Sequence, residues 1–97
     1  SPHAAEALLR RGEAAAKNLR FQDAEGDVSQ FLEEHSSSAL VPLAFVVRGE
    51  VRAQNGNAAG ARLDFQAAKE RSAPSDAVRV RAEEGLSALG PGARPRP

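Results

Sequence analysis

An all-α fold is predicted for this chain, and three observations predict it. First, a set of residues recurs at constant spacing: Gly12, Asn18, Ala24, Asp27, Glu33 and Ser38 reappear 37 positions on as Gly49, Asn55, Ala61, Asp64, Glu70 and Ser75. A fixed offset across two helices and a turn marks a helical repeat array, in which each hairpin buries its apolar face only by stacking on a neighbour. Second, the apolar residues follow helical periodicity with few β-branched runs. Third, the apolar content leans on alanine, and the aromatic residues are Phe21, Phe31, Phe45 and Phe65, so a core has to come from helices that approach closely. Ninety-seven residues supply one domain of modest core.

Five helices are expected in order. The first runs from about Ala4 to Leu19, with Ala4, Leu8, Ala15 and Leu19 spaced for one face. The second runs from about Phe21 to His35 on Ala24, Val28, Phe31 and Leu32, and Ser36-Ser37-Ser38 breaks it by competing for the backbone. The third runs from about Ala39 to Gln54, with Pro42 tolerated in its first turn. Asn55-Gly56-Asn57 reads as a turn, and a fourth helix follows from about Ala58 to Arg71 on Ala61, Phe65 and Ala68. Ser72-Ala73-Pro74-Ser75 stops it, and Ser75 is expected to cap a fifth helix that runs to about Leu89. The repeat domain therefore covers residues 1–89, and the Pro/Arg-rich stretch 90–97 is expected to be disordered.

Composition removes several function classes. The formal net charge is zero, so nothing electrostatic points to nucleic acid or an anionic membrane. There is no cysteine, which excludes disulfides and thiolate metal sites. No run approaches the roughly 18 apolar residues of a membrane span. No signal peptide is visible, but the chain starts at Ser1, which leaves a processed product or an excised domain open. The preference for Arg over Lys, with abundant Ala and Gly, suggests a GC-rich, bacterial genome.

Gly12 and Gly49 stand inside predicted helices, where glycine costs about 1 kcal/mol relative to alanine. With Ala24 and Ala61 each twelve residues on, they mark close helix crossings. A Gly in the first helix, an Ala twelve residues on, an aromatic four beyond and an Ala three beyond that resembles the tetratricopeptide repeat. Gly49, Ala61, Phe65 and Ala68 occupy all four places; Gly12 and Ala24 occupy two, with Val28 and Phe31 as apolar substitutes. Leu8 and Phe45 stand at the family's first large apolar position. The resemblance covers roughly residues 5–89. It departs from the usual repeat of about 34 residues by about three extra. The tyrosine position holds Ala15 and Arg52, and the closing proline is Ser36 in one unit and displaced to Pro74 in the other. The stretch Phe31 to Val51 is similar to the longer-repeat variant of bacterial cell-envelope proteins such as the TolA-binding coordinator and the outer-membrane assembly lipoproteins.

The resemblance implies a right-handed α-solenoid of about two and a half repeats that binds a partner peptide or helix in a concave groove. By position, the groove residues would be Glu6, Leu9, Glu13 and Lys17, then Leu43, Val46, Glu50 and Gln54, with Arg79, Ala82 and Leu86 from the closing helix. Glu13 and Glu50 either select a basic or N-terminal group or are solvated helix charges. The subgroup that grips a C-terminal carboxylate uses Lys and Asn where this chain has Leu9, Glu13, Val46 and Glu50, so that activity is not expected.

No enzymatic reading develops. His3 lies at the start, and His35 follows Glu33 and Glu34, which point in different directions on a helix and make no metal site. Asp23, Asp27 and Asp64 are expected on exposed faces, without a paired acid. The Gly56–Gly60 spacing crosses a turn and carries no membrane meaning. The Arg94-Pro95-Arg96-Pro97 ending is either a short ligand for another domain or a solvated tail. The expected function is a non-catalytic scaffold or protein-binding module without cofactor or metal, with a protein or peptide partner of basic character, no nucleic acid and no membrane insertion. Alternatives are a self-associating structural unit and a regulatory appendage of an enzyme outside this chain. Periplasm, cell envelope and cytoplasm all stay open.

Overall fold

The computed structural model describes residues 2–91, which form five helices: α1 (Pro2–Lys17), α2 (Phe21–Glu34), α3 (Val41–Gln54), α4 (Ala58–Glu70) and α5 (Ala77–Leu89). Among the described residues there is no strand, and no helix is long and apolar enough to cross a membrane. The expected disorder of the tail falls, for Gly92 to Pro97, outside the described residues.

Each helix packs on the next in sequence. In addition α3 touches α5 and, lightly, α1, whereas α2 and α4 do not meet. Helices α1, α3 and α5 therefore form one layer and α2 and α4 the other. The middle helix has neighbours on most sides, and it buries Ala44, Val46, Val47, Gly49 and Val51. Two core clusters result, one centred on Leu9, Val28, Phe31 and Val51, the other on Val46, Ala61, Phe65, Ala68 and Ala82.

The buried stripe of α1 is Ala5, Leu9, Gly12 and Ala15. Of the expected stripe Ala15 is buried and Leu8 packs half-buried against the core, but Ala4 is exposed, with Ala5 and Leu9 buried beside them, and Leu19 lies beyond the helix, 68% exposed. In an alanine-rich helix two adjacent stripes are nearly equal in hydrophobicity, and the partner helix decides between them. The glycines do mark close approaches. A Cβ at Gly12 would stand 2.9 Å from Val28 Cγ2, and one at Gly49 would stand 2.7 Å from the Phe65 ring. Val28 and Phe65 are themselves 37 residues apart, so both hairpins close in the same way.

The turns also match across the repeat. The α1–α2 turn carries Leu19 at φ 60°, and its counterpart Gly56 has φ 84°. Both are closed by a backbone N–H reaching five residues back, Arg20 to Ala15 at 2.9 Å and Asn57 to Arg52 at 2.7 Å, the geometry of a left-handed helix end. Asn57 then caps α4 by accepting from Gly60 N at 3.0 Å. Arg20, its counterpart, offers no side-chain cap. Before α5 the capping position belongs to Asp76 rather than Ser75, and its carboxylate turns back to accept from Ala73 N.

Candidate partner-binding groove

Helices α1, α3 and α5 border an open cleft of about 600 Å³, with α3 as floor and the C-terminal halves of α1 and α5 as walls. The floor is formed by Val47, Val51 and Ala53 with the edge of the Phe65 ring. Ala16 stands on one wall, and Gly85, Ala88 and Leu89 on the other. The surface is mainly apolar. Five polar residues enter from three helices: Glu13 and Lys17 on α1, Glu50 and Gln54 on α3, and Arg81 on α5 answering Glu50.

Of the residues expected in a groove, Glu13, Lys17, Glu50 and Gln54 are brought together here. Leu9 and Val46 do not line the cleft and are enclosed between helices; the floor residues Val47, Val51 and Phe65 are themselves nearly covered. Ala82 is likewise buried, while Leu43 and Leu86 pack half-buried against the two cores. Glu6 forms an exposed ion pair with Arg10 at 2.6 Å, away from the cleft, and Arg79 donates to Ser72 O at 3.4 Å. The cleft begins only at the second half of α1, because the first half is turned toward α2 and the Ser36–Leu40 loop.

Arg81 was not foreseen. Its guanidinium crosses from α5 to α3 and grips the Glu50 carboxylate with two bonds, Nε to Oε2 at 3.0 Å and Nη2 to Oε1 at 2.5 Å. The hydrogen bonds to Glu50 lead in holding Arg81 above its already high ordinary pKa. Partial burial opposes them, and the charges of Glu50 and Glu13 add to the rise. Glu13 and Glu50 hold equivalent places in the repeat but are not equivalent in the fold. Glu50 is engaged, whereas Glu13, half-buried, takes no ion pair from any described side chain.

Gly85 was missed too. A Cβ there would run into the Phe65 ring, which thus lies between Gly49 on α3 and Gly85 on α5. Gly85 follows Gly49 by 36 residues rather than 37, a slip that hides it from a strict repeat reading.

On the far side of α3, between α2 and α4, lies a second charged assembly. Asp64 is 2% exposed, not on an open face as expected. Arg48 holds it in a fork, Nε to Oδ2 at 3.0 Å and Nη2 to Oδ1 at 2.8 Å, and Arg52 Nη1 adds a third bond at 3.1 Å. Arg48 also donates to Ser29 Oγ at 3.1 Å, and Arg52 reaches Glu25 at 3.3 Å, leaving its buried Nε without an acceptor. Two guanidiniums thus meet two carboxylates, which is the condition for tolerating charge under cover. The same fork recurs one repeat earlier as Arg11 on Asp27, at 3.0 and 2.8 Å; there Arg11 is largely in water, whereas Asp27, expected on an open face, is half-buried. Phe45 takes Arg71 and Arg48 at 4.9 and 5.7 Å from its ring centre.

Within this assembly each carboxylate is matched to a cation. Among the described residues no group of three metal-ligating side chains comes together, and the His35 ring lies 5.5 Å from that of Phe31. No protein-family model matches the chain, and no curated protein or solved structure matches it either.

Proposed function

We propose that the chain is a non-catalytic protein-interaction module, an α-solenoid of about two and a half tetratricopeptide-like hairpins that receives a partner segment in the groove between α1, α3 and α5. The observation that carries this reading is the cleft itself: an apolar floor with a few polar groups at its edges is what a recognition groove requires. The alternating two-layer order of the helices and the repeated Gly12–Val28 and Gly49–Phe65 contacts support the hairpin array.

The exposed residues of α5 are mixed: Glu83, Glu84 and Ser87 are polar, and Ala77, Val80 and Ala88 are apolar, so end-to-end self-association is kept as an outcome of the test.

The test is selection from a displayed peptide library with the wild-type chain and with Gln54→Arg/Ala88→Arg, two exposed residues lining the cleft whose replacement fills it. Peptides enriched by the wild type and lost by the variant support the groove. Peptides retained equally by both sink it. A mass that is a multiple of the monomer, with no enrichment, moves the function to self-assembly.

A further inference from the structure

The groove's charges go further than its shape, on the reading that it binds a partner at all. Glu50 is held across the cleft by Arg81. Glu13, on the opposite wall, is half-buried and has no partner among the described side chains. The mouth of the cleft is formed by Lys17, Gln54 and Leu89, the last residues of α1, α3 and α5. Three helix C-termini therefore open on one place, and each presents partial negative charge that favours a cation. Lys17 stands in the last turn of α1 and Arg52 in that of α3, and Arg62 Nη2 donates to Gly90 O at the end of α5.

We propose that the partner is a segment of another protein that brings a lysine or arginine to Glu13, and that Arg81 limits the strength of this selection by occupying the second carboxylate, Glu50. Arg81 is the chain's own stand-in for the partner's cation. Its release would leave two acceptors in the groove, whereas release of Glu50 would leave Arg81 free to turn to Glu13. The charge of Glu13 already acts on Arg81, so the two are within electrostatic reach.

The two halves of one ion pair should then act in opposite directions, which a purely structural pair cannot do. The probes are three blocked peptides, Ala-Leu-Arg-Ala-Leu-Ala and its versions with Gln or Glu in place of Arg. They are titrated into the full isotope-labelled chain while the backbone amides of Val47, Gln54, Ala88 and Leu89 are followed by NMR. The Arg peptide should bind best and the Glu peptide worst. Glu13→Gln should weaken the Arg peptide about fivefold and leave the Gln peptide unchanged, as expected for loss of one partly exposed charge pair. Arg81→Gln should tighten the Arg peptide by a similar factor, and Glu50→Gln should weaken it. Unchanged helical circular dichroism shows that each variant is folded.

Equal binding of the Arg and Glu peptides, or Arg81→Gln and Glu50→Gln moving affinity the same way, overturns the proposal. If the Gln peptide shifts these amides as strongly as the Arg peptide, the groove reading stands and the charge inference falls. If no peptide shifts them, both fall. Movement of the groove amides by Arg94→Ser/Arg96→Ser with no peptide added would make the chain's own segment the occupant. A doubled mass at titration concentrations would make it a second copy. Either result overturns the assignment to a separate partner.

Discussion

Asp64→Ala removes a carboxylate that two guanidiniums share, and the repeat supplies its own control in Asp27→Ala. In the wild type the Asp64 side chain is 3% exposed, with Arg48 at 17% and Arg52 at 20%. Breaking a buried pair from one side costs about 3–5 kcal/mol, because the remaining charge stays covered and unmatched. Here two cations are left behind, but both keep some access to water, and Ser29 and Glu25 still hold one nitrogen each. The lower end, about 3 kcal/mol, is therefore expected. A domain of this size has a total stability of roughly 5–15 kcal/mol, and such a loss lowers Tm by about 15 °C. At the counterpart, Arg11 is 67% exposed, water replaces the carboxylate, and Asp27→Ala should cost only a small fraction of the Asp64 effect. Urea unfolding followed at a helical wavelength, at low and high salt, measures both. The Asp27 effect should fade with salt and the Asp64 effect should persist. Arg48→Met/Arg52→Leu/Asp64→Leu should be near neutral, since the charges go together. Equal costs for the two single variants, or an Asp64→Ala cost below about 1 kcal/mol, would refute the claim that burial distinguishes them.

Three further outcomes are expected from the same unfolding measurement. Leu19→Gly should stabilise by about 0.5–1 kcal/mol, because a left-handed backbone strains leucine and the side chain packs on little; a loss would mean that Leu19 packs in a way its exposure does not reveal. Gly26→Ala should add about 0.5–1 kcal/mol, since nothing lies within 4 Å of the new methyl group in mid-helix. Gly85→Ala should destabilise by about 1–3 kcal/mol despite the same gain in helix propensity, because the methyl group displaces the Phe65 ring; stabilisation there would show that the ring is free to move.

Element by element, the sequence reads well where one periodicity dominates. Ala24, Val28 and Phe31 lie buried as their spacing requires, and Asn55-Gly56-Asn57 turns where turn chemistry places it. The first half of the α1 stripe was mis-phased, Ala15 being buried as expected, because Ala4, Ala5, Leu8 and Leu9 offer two registers of nearly equal hydrophobicity. The burial of Asp64 could not be read from its own neighbourhood, since the covering residues come from α2 and α3. A trace of it was present: Arg11–Asp27 and Arg48–Asp64 repeat together at a separation of sixteen. Of the cleft's lining, Glu13, Lys17, Glu50 and Gln54 were expected from the family resemblance, whereas Arg81 and Gly85 were not. They lie on a helix that is offset by one residue from the 37-residue frame.

Phe65 belongs to α4, yet its ring reaches between Gly49 and Gly85 to the floor of the cleft. It therefore acts as a shim that sets the spacing of α3 and α5. Leucine or methionine in its place would alter the calibre of the cleft while leaving every charged group along its edges untouched. The width of the groove and its chemistry are encoded on different helices, so drift at one position can resize the groove without rewriting the charges it displays.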